Sequence, residues 1–176
     1  FVYILKNSFN NYQIQEMCLE CFNQFIVIKG KSLKSGWKPI LESLQYVSEH
    51  STSEKLSIKT LDIINMGFTK EENFINLFNV ENEKLDVFLE YIYVYKEICK
   101  QNKYPKISLR ALNDLKKITV KIASQTFVQN KSGKDDVATE GGKEISEKLF
   151  DDVWYPILFT FNDIIMNSKD MEVRSC

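Results

Sequence analysis

Apolar residues recur along this chain at intervals of three and four, the spacing that places them on one face of an α-helix. The clearest stripe is Trp37, Ile40, Leu41, Leu44 and Val47. The other stripes, in chain order, are Ile14, Met17, Cys18, Cys21, Phe22, Phe25 and Ile28; Ile58, Leu61 and Ile64; Phe74, Leu77 and Phe78; Leu85, Phe88, Leu89, Ile92, Tyr95 and Cys99; Leu109, Leu112, Leu115, Ile118 and Ile122; and Val153, Trp154, Ile157, Leu158, Phe161 and Ile165. No run alternates with the period of two that marks a half-buried strand, so the pattern predicts an all-α fold.

Helix starts are marked by the residues that interrupt these stripes. Pro39, Pro105 and Pro156 each fall in a predicted first turn, where a missing N–H costs little. Ser51 with Glu54 has the spacing of a capping box and predicts the start of a further helix. Thr69 with Glu72 forms a second such pair and predicts a short helix after it.

Three segments follow polar turns and share one pattern, an apolar residue, a basic residue and then a small one. They are Ser57–Leu61, Ser108–Leu112 and Glu172–Cys176. This pattern is typical of the second helix of a HEAT or armadillo repeat, and its irregular spacing indicates a degenerate array. The sequence therefore predicts a segment of an α-solenoid, which points away from an enzyme.

Composition divides the predicted array into parts. Residues 130–143 contain only one large aliphatic residue, Val137, so burial cannot offset the entropy that ordering this stretch would cost. We therefore predict a helical-repeat region at 1–129, a flexible linker or insertion at 130–143, and the truncated start of the next helical-repeat region at 144–176.

Charge and cysteine content narrow the candidate chemistry. With a formal net charge of −1 and 44% apolar residues, the chain offers no electrostatic argument for binding nucleic acid, and no apolar run is long enough to span a bilayer. Cys18 and Cys21 have the spacing of a zinc half-site, but only Cys99, Cys176 and His50 remain as further ligands. Both thiols lie on a helical stripe, so we expect them in the core and expect no metal or cofactor.

The residues Ser35, Gly36, Trp37 and Lys38 resemble the SGWK signature of a known family. The family comprises the large Golgi guanine-nucleotide exchange factors for Arf GTPases, the brefeldin-A-inhibited or Sec-seven group, in which the signature lies downstream of the catalytic domain. Two further blocks follow in the family's order. Residues 107–115 are similar to its "iSLxAlxxLr" helix, and residues 153–159 and 170–175, with Trp154, Pro156, Asp170 and Arg174, resemble its "fWfPlLxxL…dxxxeVRs" block, most closely in fungal members.

The resemblance implies a role without catalysis. Nothing in this chain matches the active-site loop of the exchange domain, so the resemblance implies no catalytic residue. It implies instead a regulatory segment of an exchange factor. That segment corresponds to the second downstream homology region and the beginning of the third. Implied partners are small GTPases of the Arf type, with Rab-type GTPases as further candidates, and other parts of the parent chain. The implied location is cytoplasmic, peripheral on trans-Golgi membranes. The alternative is a helical-repeat scaffold or adaptor, such as the related non-exchanging Golgi protein that shares these regions.

The motif residues themselves are expected to be structural. Trp37 is in phase with Ile40 and Leu44, which favours a core anchor over a partner contact. Asp170 and Arg174 have the i, i+4 spacing in which the aspartate can cap a helix N-terminus while the arginine reaches a neighbouring repeat's turn.

Overall fold

Every element of the chain for which placement is defined is helical. The computed structural model describes residues 2–7, 11–33, 36–51, 53–69, 85–100, 103–131, 153–168 and 171–175. Its helices are α1 (Val2–Asn7), α2 (Tyr12–Lys29), a short 3-10 turn (Gly30–Ser32), α3 (Trp37–His50), α4 (Glu54–Thr69), α5 (Leu85–Lys100), α6 (Pro105–Lys131), α7 (Tyr155–Asn167) and α8 (Met171–Ser175). No strand occurs within these ranges, which confirms the all-α prediction.

The prolines mark helix starts as predicted. Pro39 lies in the first turn of α3, Pro105 is the first residue of α6 and Pro156 is the second residue of α7. The capping box predicted at Ser51 is wrong by two residues, because α4 begins at Glu54 and Ser51 is instead the C-cap of α3. The Ser51 hydroxyl accepts a hydrogen bond from the Ser53 N–H at 3.2 Å, which shapes the turn between the two helices.

Alternate helices pack into two layers. In the first layer α1 packs on α3, α3 on α5 and α5 on α7; in the second, α2 packs on α4, α4 on α6 and α6 on α8. Each first-layer helix also contacts the second-layer helix that follows it in sequence. The three segments with the shared apolar-basic-small pattern fall in the second-layer helices α4, α6 and α8, the third as far as Ser175, since Cys176 lies outside the described residues.

The interior helices bury the predicted stripes. All five stripe residues of α3 are buried, as are Phe88, Ile92, Tyr95 and Cys99 of α5 and Leu112, Leu115 and Ile118 of α6. In α4, Leu61 and Ile64 are buried, but Ile58 is exposed. Leu89 of α5 and Leu109 of α6 are half-buried, and the burial of Leu85 and Ile122 lies outside the described residues. The other stripe residues of α3, α5 and α6 are buried because helices on both sides cover the face that the spacing selects.

Helices α2 and α7 depart from the prediction. In α2, Cys18, Leu19, Phe22 and Ile26 are buried, whereas Met17, Cys21, Phe25 and Ile28 are exposed, so the expectation that both thiols lie in the core is wrong for Cys21. In α7, Ile157 and Ile164 are buried, while Leu158 and Ile165 are exposed. Both helices lie at an end of the described layers, and both carry apolar residues on more than one face, so spacing alone does not select the covered face.

The structure describes only some of the residues at which the predicted division of the chain falls. Helix α6 continues through Lys131, two residues into the stretch predicted as a linker, and the rest of 130–143 lies outside the described residues. The short helix predicted after Thr69 also lies outside them. Among the helices that are described, none is long and apolar enough to cross a membrane.

Candidate functional site

Trp37 lies where three helices meet. It is the first residue of α3 and is 2% exposed. Its ring faces Gly67 of α4 so closely that a Cβ on that glycine would lie 3.1 Å from Trp37 Cη2 and 3.6 Å from Tyr91 Cε2 of α5. The indole Nε1 is buried and has no hydrogen-bond partner in the described part of the chain. Trp37 therefore acts through ring packing, which agrees with the core interpretation.

A buried polar network lies beside Trp37 and joins α4, α5 and α6. The Tyr91 hydroxyl donates to the Ile64 carbonyl, and the Tyr95 hydroxyl donates to Asn65 Oδ1. Asn65 Nδ2 then donates to Asp114 Oδ2 at 2.7 Å. Each link joins residues that are far apart in sequence, so the network fixes the rotation of the three helices relative to one another.

Burial keeps the two tyrosine hydroxyls of this network protonated and therefore neutral. Desolvation raises the pKa of the Tyr91 and Tyr95 hydroxyls well above their ordinary range, and it raises the pKa of the neighbouring Cys99 thiol in the same direction. The two hydroxyls therefore remain donors across the physiological range. A cysteine held as a buried thiol is not a nucleophile, so Cys99 serves as a core residue.

Ion pairs connect successive helices of the second layer. Lys59 Nζ of α4 lies 2.7 Å from Glu20 Oε2 of α2, and Arg110 Nη2 of α6 lies 2.6 Å from Asp62 Oδ1 of α4. The hydrogen bond from Lys59 lowers the pKa of Glu20. Ion pairs that are this accessible to solvent stabilise a fold only slightly. We therefore infer that these two pairs set the register between the helices and contribute little to stability.

A less exposed cluster connects α5 to α7. Asp163 Oδ2 lies 2.6 Å from Lys100 Nζ and 2.8 Å from Lys96 Nζ, and the aspartate and Lys96 side chains are 19% and 13% exposed. The hydrogen bonds from Lys100 and Lys96 lower the pKa of Asp163 to about 2. The Asp163 carboxylate is therefore charged near neutral pH, and it binds the ammonium groups of both lysines.

The described residues contain no group of three or more histidine, cysteine or acidic side chains that could hold a metal ion. Of the two thiols in the CxxC spacing, Cys18 is buried and Cys21 is exposed. His50 ends α3, where its Nδ1 lies 2.9 Å from the Tyr46 carbonyl and its ring stacks on that tyrosine. The side chains described in this site therefore contribute to helix packing and to the register between helices.

Comparisons with known proteins indicate the family to which this chain is related. The family described as Mon2/Sec7/BIG1-like, HDS matches residues 1–66. The ADP-ribosylation factor guanine nucleotide-exchange factor SEC7 of Saccharomyces cerevisiae is 41% identical over 175 residues, which are 99% of this chain and 8% of that protein. This chain is a homology region of the Sec7 family.

Two relatives from Schizosaccharomyces pombe carry the same description. The exchange factors sec72 and sec71 are 26% and 24% identical to this chain, and each match covers 99% of the chain and 9% of the relative. The Sec7-family segment thus spans less than a tenth of the length of the curated relatives it matches. No solved structure matched it.

The SGWK signature of the Sec7-family segment opens α3. Gly36 is the N-cap residue with a φ of −70°, and a Cβ there would lie 3.1 Å from Leu33 Cδ2, so the glycine lets Leu33 close against the start of the helix. Trp37 is buried and Lys38 is exposed, and Ser35 lies outside the described residues. The signature therefore combines one helix start, one core anchor and one solvent-facing cation.

The later motif residues shape the final helix pair. Trp154 is π-helical, is the N-cap residue of α7 and packs partly buried against the core, and Pro156 follows in the first turn. Arg174 Nε donates to the carbonyl of Ser168, the C-cap of α7, at 2.6 Å. The prediction that Arg174 reaches a neighbouring repeat's turn is wrong in this respect, because the turn it binds belongs to its own helix pair. Asp170 lies outside the described residues.

Several residues that hold this site together are absent from the sequence-based predictions. Gly67 interrupts the apolar pattern of α4, and an isolated glycine inside a helix often signals close packing, so this signal was available. Asn65, Asp114 and Asp163 give no comparable signal, because their partners lie on other helices and no local spacing identifies them.

Proposed function

We propose that this chain is a non-catalytic regulatory and protein-interaction segment of a guanine-nucleotide exchange factor for Arf GTPases. The observation that carries the proposal is the 41% identity over 99% of the chain to an exchange factor of that kind. A non-catalytic role is supported by the sequence resemblance to the regions downstream of the exchange domain, because nothing in this chain matches that domain's active-site loop. It is also supported by a site made of packing contacts, a polar network and ion pairs between helices.

The proposed architecture is a HEAT- or armadillo-type array. Three features support it: alternate helices form two layers, the shared apolar-basic-small segments recur in the second layer, and Lys59 and Arg110 each reach the preceding second-layer helix. In such an array each helix pair contacts its neighbours, and the stacked pairs present an extended surface to other proteins.

The proposed partners are Arf-type small GTPases, with Rab-type GTPases as further candidates, and other parts of the parent chain. The proposed location is the cytoplasmic face of trans-Golgi membranes, where the parent would associate peripherally. Both proposals extend the Sec7-family membership, and a fluorescent fusion of the parent that failed to overlap a trans-Golgi marker would contradict the second.

The alternative is a scaffold or adaptor that shares this region without exchange activity. The family description includes Mon2 beside Sec7 and BIG1, whereas the three relatives above are all described as exchange factors. Those descriptions favour the exchange factor. An exchange domain with its catalytic glutamate upstream in the parent gene would support this choice, and a parent gene without one would favour the scaffold.

The test compares the parent protein with a variant that lacks residues 1–176. Nucleotide release from Arf is measured in solution and on liposomes, with and without an activating GTPase. We expect the solution rate to be preserved, which serves as the folding control for the exchange domain, and the membrane rate or its response to the activator to change. Unchanged rates under every condition would reduce the segment to a spacer and contradict the regulatory proposal.

A further inference from the structure

An apolar groove lies between α2 and the first turn of α3. Its volume is about 890 Å³, which is in the range of cavities that bind small molecules. Phe22, Phe25 and Ile28 belong to its α2 wall, and Pro39 and Ile40 belong to its α3 wall. In the described part of the chain, no aspartate or glutamate lines it. The groove is therefore suited to an apolar chain.

The apolar surface continues along α2 outside the groove. Met17, Cys21, Phe25 and Ile28 follow one another at intervals of four, four and three residues, so they form one stripe about 16 Å long. All four are exposed, Met17 at 68% and Ile28 at 72%. A free fatty acid in the groove would leave Met17 in water, whereas the surface of a bilayer would cover the whole stripe.

The charge beside the groove is positive. Lys29 lines the groove, and Lys38 precedes Pro39 in the first turn of α3. Both lysines are exposed, and neither forms an ion pair with another described residue. Residues 21–41 contain four lysines and no aspartate or glutamate, although the whole chain has a formal net charge of −1. This part of the surface is therefore complementary to an anionic head group.

We propose that the groove and the α2 stripe dock on the acidic surface of a phospholipid bilayer, with an acyl chain of an anionic phospholipid in the groove and its head group bound by Lys29 and Lys38. A helix with apolar residues on one face and lysines beside them is typical of helices that lie in the plane of a bilayer interface. The proposal rests on the proposed function for one point, the peripheral association of the parent with a membrane.

The first test measures binding of the purified 176-residue chain to vesicles of phosphatidylcholine with and without phosphatidylserine. Lys29→Glu with Lys38→Glu is compared with Lys103→Glu and Lys106→Glu, because all four lysines are exposed and both pairs of substitutions change the net charge equally. We expect the first pair to lower binding to the acidic vesicles about tenfold and the second pair to leave it nearly unchanged. Equal losses, or equal binding to neutral vesicles, would overturn the proposal.

The second test separates the groove from the rest of α2. Phe25 and Val27 are 54% and 51% exposed on the same helix, but Phe25 lines the groove and Val27 does not. We expect Phe25→Ser to weaken binding to the acidic vesicles several-fold, while Val27→Ser leaves it unchanged. Equal effects would show that no acyl chain occupies the groove and would overturn the proposal.

The third test uses the full-length parent with its natural residues. Cys21 is exposed in the groove and Cys99 is buried, so alkylation of the first reports on the occupant and alkylation of the second reports on unfolding. We expect Cys21 to react in the parent alone and to react about tenfold more slowly on acidic vesicles, while Cys99 stays unreactive. A Cys21 that is protected without vesicles, or that reacts equally with them, would overturn the proposal.

A protein partner is the competing occupant. Protection of Cys21 by an acidic amphipathic peptide, with no protection by acidic vesicles, would assign the groove to a helix of another protein and overturn the proposal. None of these measurements follows nucleotide exchange, so their failure is distinct from failure of the proposed function.

Discussion

Gly67 of α4 lies directly against the indole ring of Trp37 of α3. A Cβ on Gly67 would lie 3.1 Å from Trp37 Cη2 and 3.3 Å from Cζ3, tighter than ordinary van der Waals contact. The glycine therefore carries a helix-propensity cost of roughly 0.5–1 kcal/mol so that the indole can lie against the helix. This contact ties a residue of the family signature to the spacing between the two layers.

The contact predicts that Gly67→Ala changes the free energy of unfolding in opposite directions in two backgrounds. Gly67→Ala in the natural chain should lower the free energy of unfolding, because overpacking costs about 1–3 kcal/mol and exceeds the gain in helix propensity. In a Trp37→Phe background the Cη2 and Cζ3 atoms are gone, so the same substitution should stabilise by up to about 1 kcal/mol. A double-mutant cycle by denaturant titration measures the coupling, and an equal effect in both backgrounds would contradict the contact.

Truncating the anchor itself should be costly. Trp37→Ala should lower the free energy of unfolding by about 3–5 kcal/mol, because the buried ring leaves a cavity between three helices. Lys38→Ala is the matched control, since the neighbouring side chain is exposed, and it should change stability by less than about 0.5 kcal/mol. Similar small effects from both substitutions would show that Trp37 is not a core residue.

The polar network predicts a contrast between two aspartates that contact the same helix pair. Asp114→Ala should destabilise by about 1–3 kcal/mol, since it leaves the half-buried Asn65 amide without its acceptor. Asp62→Ala removes only an exposed pair with Arg110 and should cost less than about 1 kcal/mol. Thermal or denaturant unfolding distinguishes them, and equal losses would argue against the network.

The Asp163 cluster predicts acid sensitivity. Its folded pKa of about 2 lies below the ordinary value of 3.8, so the stabilisation it provides is present above about pH 4 and is lost as the pH falls from 4 towards 2. Asp163→Asn lacks this titration, so the difference in stability between natural chain and variant should shrink over that window. Unfolding followed at pH 5, 4, 3 and 2 checks this, and a constant difference would contradict it.

The sequence predicted the interior of this fold better than its ends. The stripe of α3 and most described stripe residues of α5 and α6 are buried as predicted because helices cover them on both sides. The three prolines mark helix starts because the effect of a proline on the helix is local. Cys21 and Phe25 were placed in the core since their spacing is helical, yet spacing cannot show that α2 is an outer helix. Whether a face is covered is a property of the assembled layers.

The candidate site shows the same division. The signature residue Trp37 was identified from its phase with Ile40 and Leu44. Its neighbours were not, because Tyr91 reaches Ile64 across 27 residues and Asn65 reaches Asp114 across 49. Long-range polar contacts depend on the rotation of packed helices, which a periodic pattern does not define. Arg174 was expected to contact another repeat, but its Nε donates to the carbonyl of Ser168 at the end of α7.

Nucleotide release from Arf tests the non-catalytic role most directly. The purified 176-residue chain is added at increasing concentration to Arf loaded with fluorescent GDP, with magnesium chelation by EDTA as the positive control for release. Circular dichroism of the same sample should be dominated by helix, which shows that the added chain is folded. We expect the release rate to stay at its spontaneous value at every concentration. Acceleration that rises with the concentration of the chain would contradict the account.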